Sequence, residues 1–133
     1  MRDQPRSMAF SVIEASSLFY LPLSRVRDIA RMSLACQRSV MMMSEYGMDM
    51  ALAALGVLLL RATDKRVAAT LLHAAPDGQP LRLTQAQLGE MANAERQVVN
   101  RVLKALAVRG WLTLGYGQVT VTDRAGLEAF VRG

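Results

Sequence analysis

The chain has a single cysteine, Cys36, among 133 residues. No intramolecular disulfide can form, which excludes the cross-linked scaffolds of small secreted domains, and one thiolate cannot hold an iron–sulfur cluster alone. Its nearest charged neighbour is Arg38, so an inert thiol is expected. Histidine is equally scarce. His73 follows Leu71 and Leu72 with no acid or nucleophile near it in sequence, and reads as a structural or partly solvated side chain. No glycine-rich phosphate loop and no carboxylate pair appears, so no catalytic residue, metal site or cofactor is expected, and the chain does not read as an enzyme. The apolar stretch 51–60, bracketed by Asp49 and Arg61, is far shorter than the ~20 residues that span a bilayer. Asp3 and Glu14 interrupt the N-terminal region, which lacks the architecture of a signal peptide. These absences predict a cytoplasmic protein with no membrane partner.

What is present is basic. Sixteen Lys and Arg oppose 11 Asp and Glu, for a net charge of +5 and a pI near 10.1. Such an excess fits a polyanionic partner but is shared by many unrelated small proteins. Its location says more. A helix proposed at 96–109 carries Arg96, Arg101, Lys104 and Arg109 and no acid. With 52% hydrophobic and 20% charged residues, the chain can build one core or two small lobes.

Residues 10–21 read as two short strands. Val12 and the run Leu18-Phe19-Tyr20-Leu21 favour strand, and Ala15-Ser16-Ser17 supplies a turn. Pro22 presets a helix start, followed by Leu23, Val26, Ile29 and Ala30 at helical spacing. From about 37 to 62 no proline intervenes, which predicts one helix of roughly seven turns. Within it Val40, Met43, Gly47, Met50, Ala54 and Val57 alternate by three and four, the spacing of a heptad seam. Met41, Met48, Leu52, Leu55 and Leu59 form a second stripe. The rest of the chain is too small to cover so long an apolar helix, which favours a partner helix from a second copy. The six methionines from Met32 to Met50 suggest adaptable packing rather than metal binding.

Thr63-Asp64 then offers an N-cap to a helix with Ala68, Leu71, Leu72 and Ala75 on one side. Pro76-Asp77-Gly78 ends it, and Leu81-Arg82-Leu83 reads as a three-residue strand. Thr84 and Gln87 fit a capping box. Leu88, Met91 and Ala92 give the next helix its apolar side, and Asn93 stops it. After a very short turn, the helix at 96–109 buries Val99, Val102, Leu103 and Leu106, and exposes Arg96, Gln97, Asn100, Arg101 and Lys104 on the other side. Two helices so joined are a helix-turn-helix. Arg pairs with guanine, Asn and Gln with adenine, and Lys with phosphate. Gly110 closes the helix. Trp111-Leu112-Thr113-Leu114 and Val119-Thr120-Val121 then flank the glycine-rich tip Gly115-Tyr116-Gly117-Gln118, a hairpin in the position of a wing. Asp123 caps a last helix whose Leu127, Phe130 and Val131 can pack back on the core.

The segment 83–92 (LTQAQLGEMA) together with 96–106 (RQVVNRVLKAL) resembles the DNA-binding domain of the Crp/Fnr superfamily of bacterial regulators, and the resemblance extends over 66–131. Family members show Arg-Glu-Thr-Val-Gly/Ser-Arg in the recognition segment. Arg96 and Arg101 match it. Gln97 replaces the acid, Asn100 the small residue, and Glu95 the usual preceding Ser. The long Met-rich helix stands where the family has its dimerisation helix. Residues 10–21 look like the last strands of the family's cyclic-nucleotide β-roll, and Arg6-Ser7 resembles the end of its phosphate-binding cassette, with Gln4-Pro5 where Gly-Glu would be. Most of the β-roll is missing, and one Arg-Ser pair cannot enclose a nucleotide. No effector binding is expected of this chain, and residues 1–21 are expected to be mobile or to pair with another copy.

The expectation is a mainly α chain in three parts. Residues 1–21 are a β-roll remnant, 22–62 a short helix and the long dimerisation helix, and 63–133 a winged helix-turn-helix. Its partners would be double-stranded DNA, a second copy of itself and, through its role as a bacterial regulator, RNA polymerase. Arg96, Gln97, Asn100 and Arg101 would read bases. Thr84, Gln85, Lys104 and Tyr116 would hold phosphate. A competing reading is a winged helix that binds protein and no DNA.

Overall fold

The computed structural model describes residues 15–75 and 78–133. It falls into two compact units, Met1–Ser44 and Glu45–Gly133. In the first, Ala15 to Leu21 is not a strand. Leu18, Phe19, Tyr20 and Leu21 are exposed and join no ladder among the described residues, and an apolar run becomes a strand only when a neighbour pairs with it. The rest of the expected strand pair and Arg6-Ser7 lie outside the described residues. Pro22 is the N-cap of α1 (Leu23–Met32), which carries a surface Arg25–Asp28 pair at 3.8 Å.

Helix α2 (Leu34–Leu59) begins three residues before the expected start and ends three before the expected finish. Ser33 explains the early start: its extended backbone ends α1, and its Oγ accepts the Cys36 N–H at 3.2 Å. Twenty-six residues make a helix about 39 Å long. Only Val57 in it is buried. Met43 and Met50 of the heptad seam are 73% and 51% exposed, Gly47 and Ala54 are exposed, and Val40 is half-buried. The second stripe, Met41, Met48, Leu52, Leu55 and Leu59, is also exposed. By length and composition alone α2 is also long and apolar enough to cross a membrane, which the run 51–60 taken by itself did not suggest.

In the second unit the core gathers around α3 (Thr63–Ala74), which packs against α4 (Gln85–Ala92), α5 (Arg96–Val108) and α6 (Arg124–Arg132). Val67, Leu71, Leu88, Val99, Leu103, Leu112 and Leu127 are all fully buried. Leu71, Leu88, Val99, Leu103 and Leu127 belong to the apolar positions read from sequence, whereas α3 buries Val67, Ala69 and Thr70 in addition to its expected stripe. The expected N-cap of α3 is displaced. Ala62 occupies the cap position with no side-chain bond, Thr63 lies inside the helix, and the Asp64 carboxylate accepts the N–H of Lys65 at 2.9 Å. Strands β1 (Leu112–Gly115) and β2 (Gln118–Val121) form the antiparallel hairpin, with Leu112 opposite Val121 and Leu114 opposite Val119. Gly117 takes the left-handed conformation, φ +63°, at its two-residue turn. Leu112, Val119 and Val121 are buried, whereas Leu114 near the tip is 43% exposed.

The expected strand 81–83 shrinks to one bridge, in which Leu81 and Val119 exchange N–H···O bonds of 2.8 and 3.0 Å. The next bonded pair in this ladder would join Leu83 to Gly117, which lies in the hairpin turn, and Thr84 is already committed to capping α4. At the far end Asp123 caps α6 as expected, its Oδ1 accepting the Gly126 N–H at 2.9 Å. Trp111 and Phe130 stack at 5.5 Å beneath the Arg109 guanidinium, which sits 4.9 Å from the Trp111 ring.

Leu71 is 0% exposed at the centre of this core. Leu71→Ala is expected to lower unfolding free energy by about 2–5 kcal/mol, measured by urea denaturation at fixed protein concentration. A loss within about 0.5 kcal/mol would place the core elsewhere.

Candidate nucleic-acid interface

The N-terminus of α4 is built by the reciprocal cap read from sequence. Thr84 Oγ1 accepts the Gln87 N–H at 3.2 Å, and Gln87 Oε1 accepts the Thr84 N–H at 2.9 Å. The C-terminus ends at Asn93, whose φ of 46° and ψ of 57° are left-handed. That conformation turns the chain within two residues, and the Ala94 N–H returns to the Gly89 carbonyl at 2.8 Å. Glu95 then enters α5 with extended backbone and no side-chain cap.

The close approach of the two helices depends on Gly89. A Cβ there would lie 2.5 Å from the Ala94 carbonyl oxygen, a backbone atom that cannot swing aside, and 3.6 Å from a Val99 methyl. Sequence pattern alone did not single Gly89 out, because a glycine inside a helix reads first as a propensity cost. The missed signal is its position four residues before Asn93.

Arg66 was also missed. From α3 its Nε donates to the Ala92 carbonyl at 3.0 Å, and Nη2 to the Asn93 carbonyl at 3.2 Å. Nη1 donates to the Leu60 and Arg61 carbonyls at 2.9 and 3.3 Å, and Nη2 also to Thr63 Oγ1 at 3.1 Å. This one fork ties the segment after α2, the start of α3 and the turn between α4 and α5 together. No periodicity in 63–75 marks it, since the acceptors come from residues up to 27 positions away.

On α5 the predicted division holds with one exception. Val99, Val102, Leu103 and Leu106 are buried, and Arg96, Gln97, Arg101 and Lys104 are exposed. Asn100 is half-buried rather than exposed. Arg101 also lines a shallow groove with Asp64, Val98, Arg109 and Phe130. Thr84 is exposed and Gln85 half-buried at the start of α4, and Tyr116 stands fully exposed at the hairpin tip. His73 is exposed, with ring Nδ1 2.8 Å from the Ala69 carbonyl, and Cys36 is half-buried. Among the described residues no three His, Cys, Asp or Glu side chains gather as a metal site.

Helix, bridge, helix, left-handed turn, helix and hairpin follow one another in the order of a winged helix-turn-helix, and residues 65–130 match the Crp-like helix-turn-helix domain. The C-terminal domain belongs to that family. The Crp-like domain has a curated relative in the HTH-type transcriptional regulator Cmr of Mycobacterium tuberculosis, 35% identical over 72 residues. That match covers 54% of this chain and 29% of Cmr, so the chain spans well under half of that relative. Among solved structures, a CRP/FNR-family transcriptional regulator from Thermus thermophilus is 25% identical with a TM-score of 0.56, over 67% of this chain and 50% of that one. FixK2 from Bradyrhizobium japonicum shares the fold at 20% identity, with a TM-score of 0.68 over 80% of this chain and 57% of its own.

Gly89→Val is expected to push α4 and α5 apart and cost about 1–3 kcal/mol, read as a lowered thermal midpoint. An unchanged midpoint would mean that the turn accommodates a side chain and that the close approach is not required.

Proposed function

We propose that this chain is a DNA-binding transcription regulator that acts as a homodimer on a palindromic site. The observation that carries the reading is the outward face of α5. Arg96, Gln97, Arg101 and Lys104 stand exposed on a helix that carries no acid and whose other side is locked into the core. In a winged helix-turn-helix such a helix enters the major groove by its N-terminal turns. Arg96, Gln97, Asn100 and Arg101 read base edges there. Thr84, Gln85, Lys104 and the exposed Tyr116 of the wing hold the phosphate backbone. The Crp-like family of the domain and the names of its relatives support the same role. The matched relatives are regulators, and we read this chain as a non-enzyme of the cytoplasm, with RNA polymerase as the further partner its role implies. Among the described residues the only sheet is the wing hairpin, and we assign them no effector.

The dimer rests on α2. Met43, Gly47, Met50 and Ala54 lie exposed along one heptad seam, and an apolar face of that length is covered most economically by a second α2. Val57 is covered within the chain and drops out of the expected seam. A membrane span is the poorer account of the same helix, since Arg38, Glu45 and Asp49 lie along it and would be costly in hydrocarbon. Paired α2 helices would set two copies of α5 about one turn of DNA apart, ~34 Å.

Fluorescence anisotropy on duplex DNA tests the first part. Affinity should fall steeply between about 50 and 200 mM salt as counterions are released, and Arg96→Ala should cost ~1–3 kcal/mol on a preferred site while flattening preference at one base pair. A contact insensitive to salt would instead indicate a protein-binding winged helix. Sedimentation tests the second part. The chain should run as a dimer in the absence of detergent, and Met43→Glu with Met50→Glu should give a folded monomer. A monomeric parent protein would remove the seam.

A further inference from the structure

We infer that Gln97 fixes an adenine in each half-site, and that it is the amide of α5 that does so. The inference rests on the base-reading role proposed above and specifies the sequence that is read. Two side chains on this helix carry amides, Gln97 and Asn100, and the fold treats them differently. The buried positions Val99, Val102, Leu103 and Leu106 define the inward direction of α5. At 3.6 residues per turn the opposite direction falls within about 10° of Gln97 and about 70° away from Asn100. Gln97 is in the first turn, exposed, and its side chain makes no hydrogen bond among the described residues. Asn100 is one turn further on, half-buried, and one methylene shorter. A helix that enters the groove N-terminus first therefore carries Gln97 deepest.

The chemistry at that position is selective. A carboxamide offers one donor and one acceptor side by side, which complements N7 and the N6 amino group of adenine in the major groove. A carboxylate offers acceptors only and prefers the amino group of cytosine. Arg96 points about 100° away around the helix and its guanidinium pairs with guanine, not adenine, so the adenine preference belongs to one residue and can be exchanged by itself. Gln97 and Glu have nearly the same shape, and an exposed first-turn position tolerates either without a change in fold.

The experiment is selection of bound duplexes from a randomised pool by the full chain and by Gln97→Glu, with Gln97→Ala as a third arm. The parent protein should enrich adenine at one position in each half-site. Gln97→Glu should replace that adenine by cytosine and leave the other positions unchanged, and Gln97→Ala should make the position degenerate. On a single duplex, changing that adenine should weaken the parent about 10- to 100-fold and the Gln97→Ala protein hardly at all. If a palindrome is recovered but all three proteins select the same base at every position, the assignment to Gln97 is overturned while DNA reading stands. If no sequence is enriched, both fail together. Circular dichroism of each variant excludes misfolding as the source of a changed site.

Discussion

The Arg66 guanidinium satisfies carbonyls that no helix can satisfy for itself. Leu60 and Arg61 lie just beyond α2, and Ala92 and Asn93 end α4, so all four carbonyl groups lack the N–H partner that a continuing helix would provide. A fixed fork of donors on α3 meets them at once, with Thr63 Oγ1 completing the set. Everything outward of this point inherits its position. The end of α4 determines where the turn at Asn93 begins, and the turn determines the direction in which α5 leaves. A shorter or flexible cation could neutralise one carbonyl but could not span two segments with defined geometry.

Around that tie the rest of the domain is ordinary apolar packing with two places of tight steric demand. Gly89 lets the carbonyl of Ala94 approach α4. Gly126 does the same at the other end, where a Cβ would lie 2.6 Å from the Trp111 indole nitrogen, against the ring that Phe130 and Arg109 enclose. Arg124 adds a further bond across the core from α6 to the end of α3, its Nη2 donating to the Leu72 carbonyl at 2.6 Å. The outcome is a packed support behind α5, whose outward side chains Arg96, Gln97, Arg101 and Lys104 are exposed. The long helix is the opposite case. Its apolar side chains are exposed for nearly its whole length, and a helix of this kind is stable in water only when another apolar surface covers it.

Local pattern made most of the winged helix legible. Thr84 and Gln87 spell a cap whose two bonds are made within four residues, and Asn93 marks a left-handed stop. Alternation in 112–121 sets a hairpin register that the turn residues enforce. The apolar period of α5 separates its inward and outward sides, with Asn100 misjudged because a position at the margin of the stripe is settled by what packs beside it. Where sequence reading failed, the deciding contact was distant. Leu18 to Leu21 has strand composition but no neighbour to pair with among the described residues. The segment 81–83 is limited by the hairpin turn at Gly117, opposite Leu83, and by the cap at Thr84. Val57 follows the seam in sequence yet is covered within the chain.

The amino-acid order by itself determined the helices, the cap, the stop, the hairpin and the basic side of α5, because each arises from interactions within a few residues. It also determined that α2 is too apolar to stand alone. Only the tertiary structure decided that Arg66 joins three segments, that Gly89 is a contact point rather than a weak place in a helix, and that Asn100 is half-buried. Each of those depends on atoms brought together from separate parts of the chain, and no periodicity along a sequence records such a meeting.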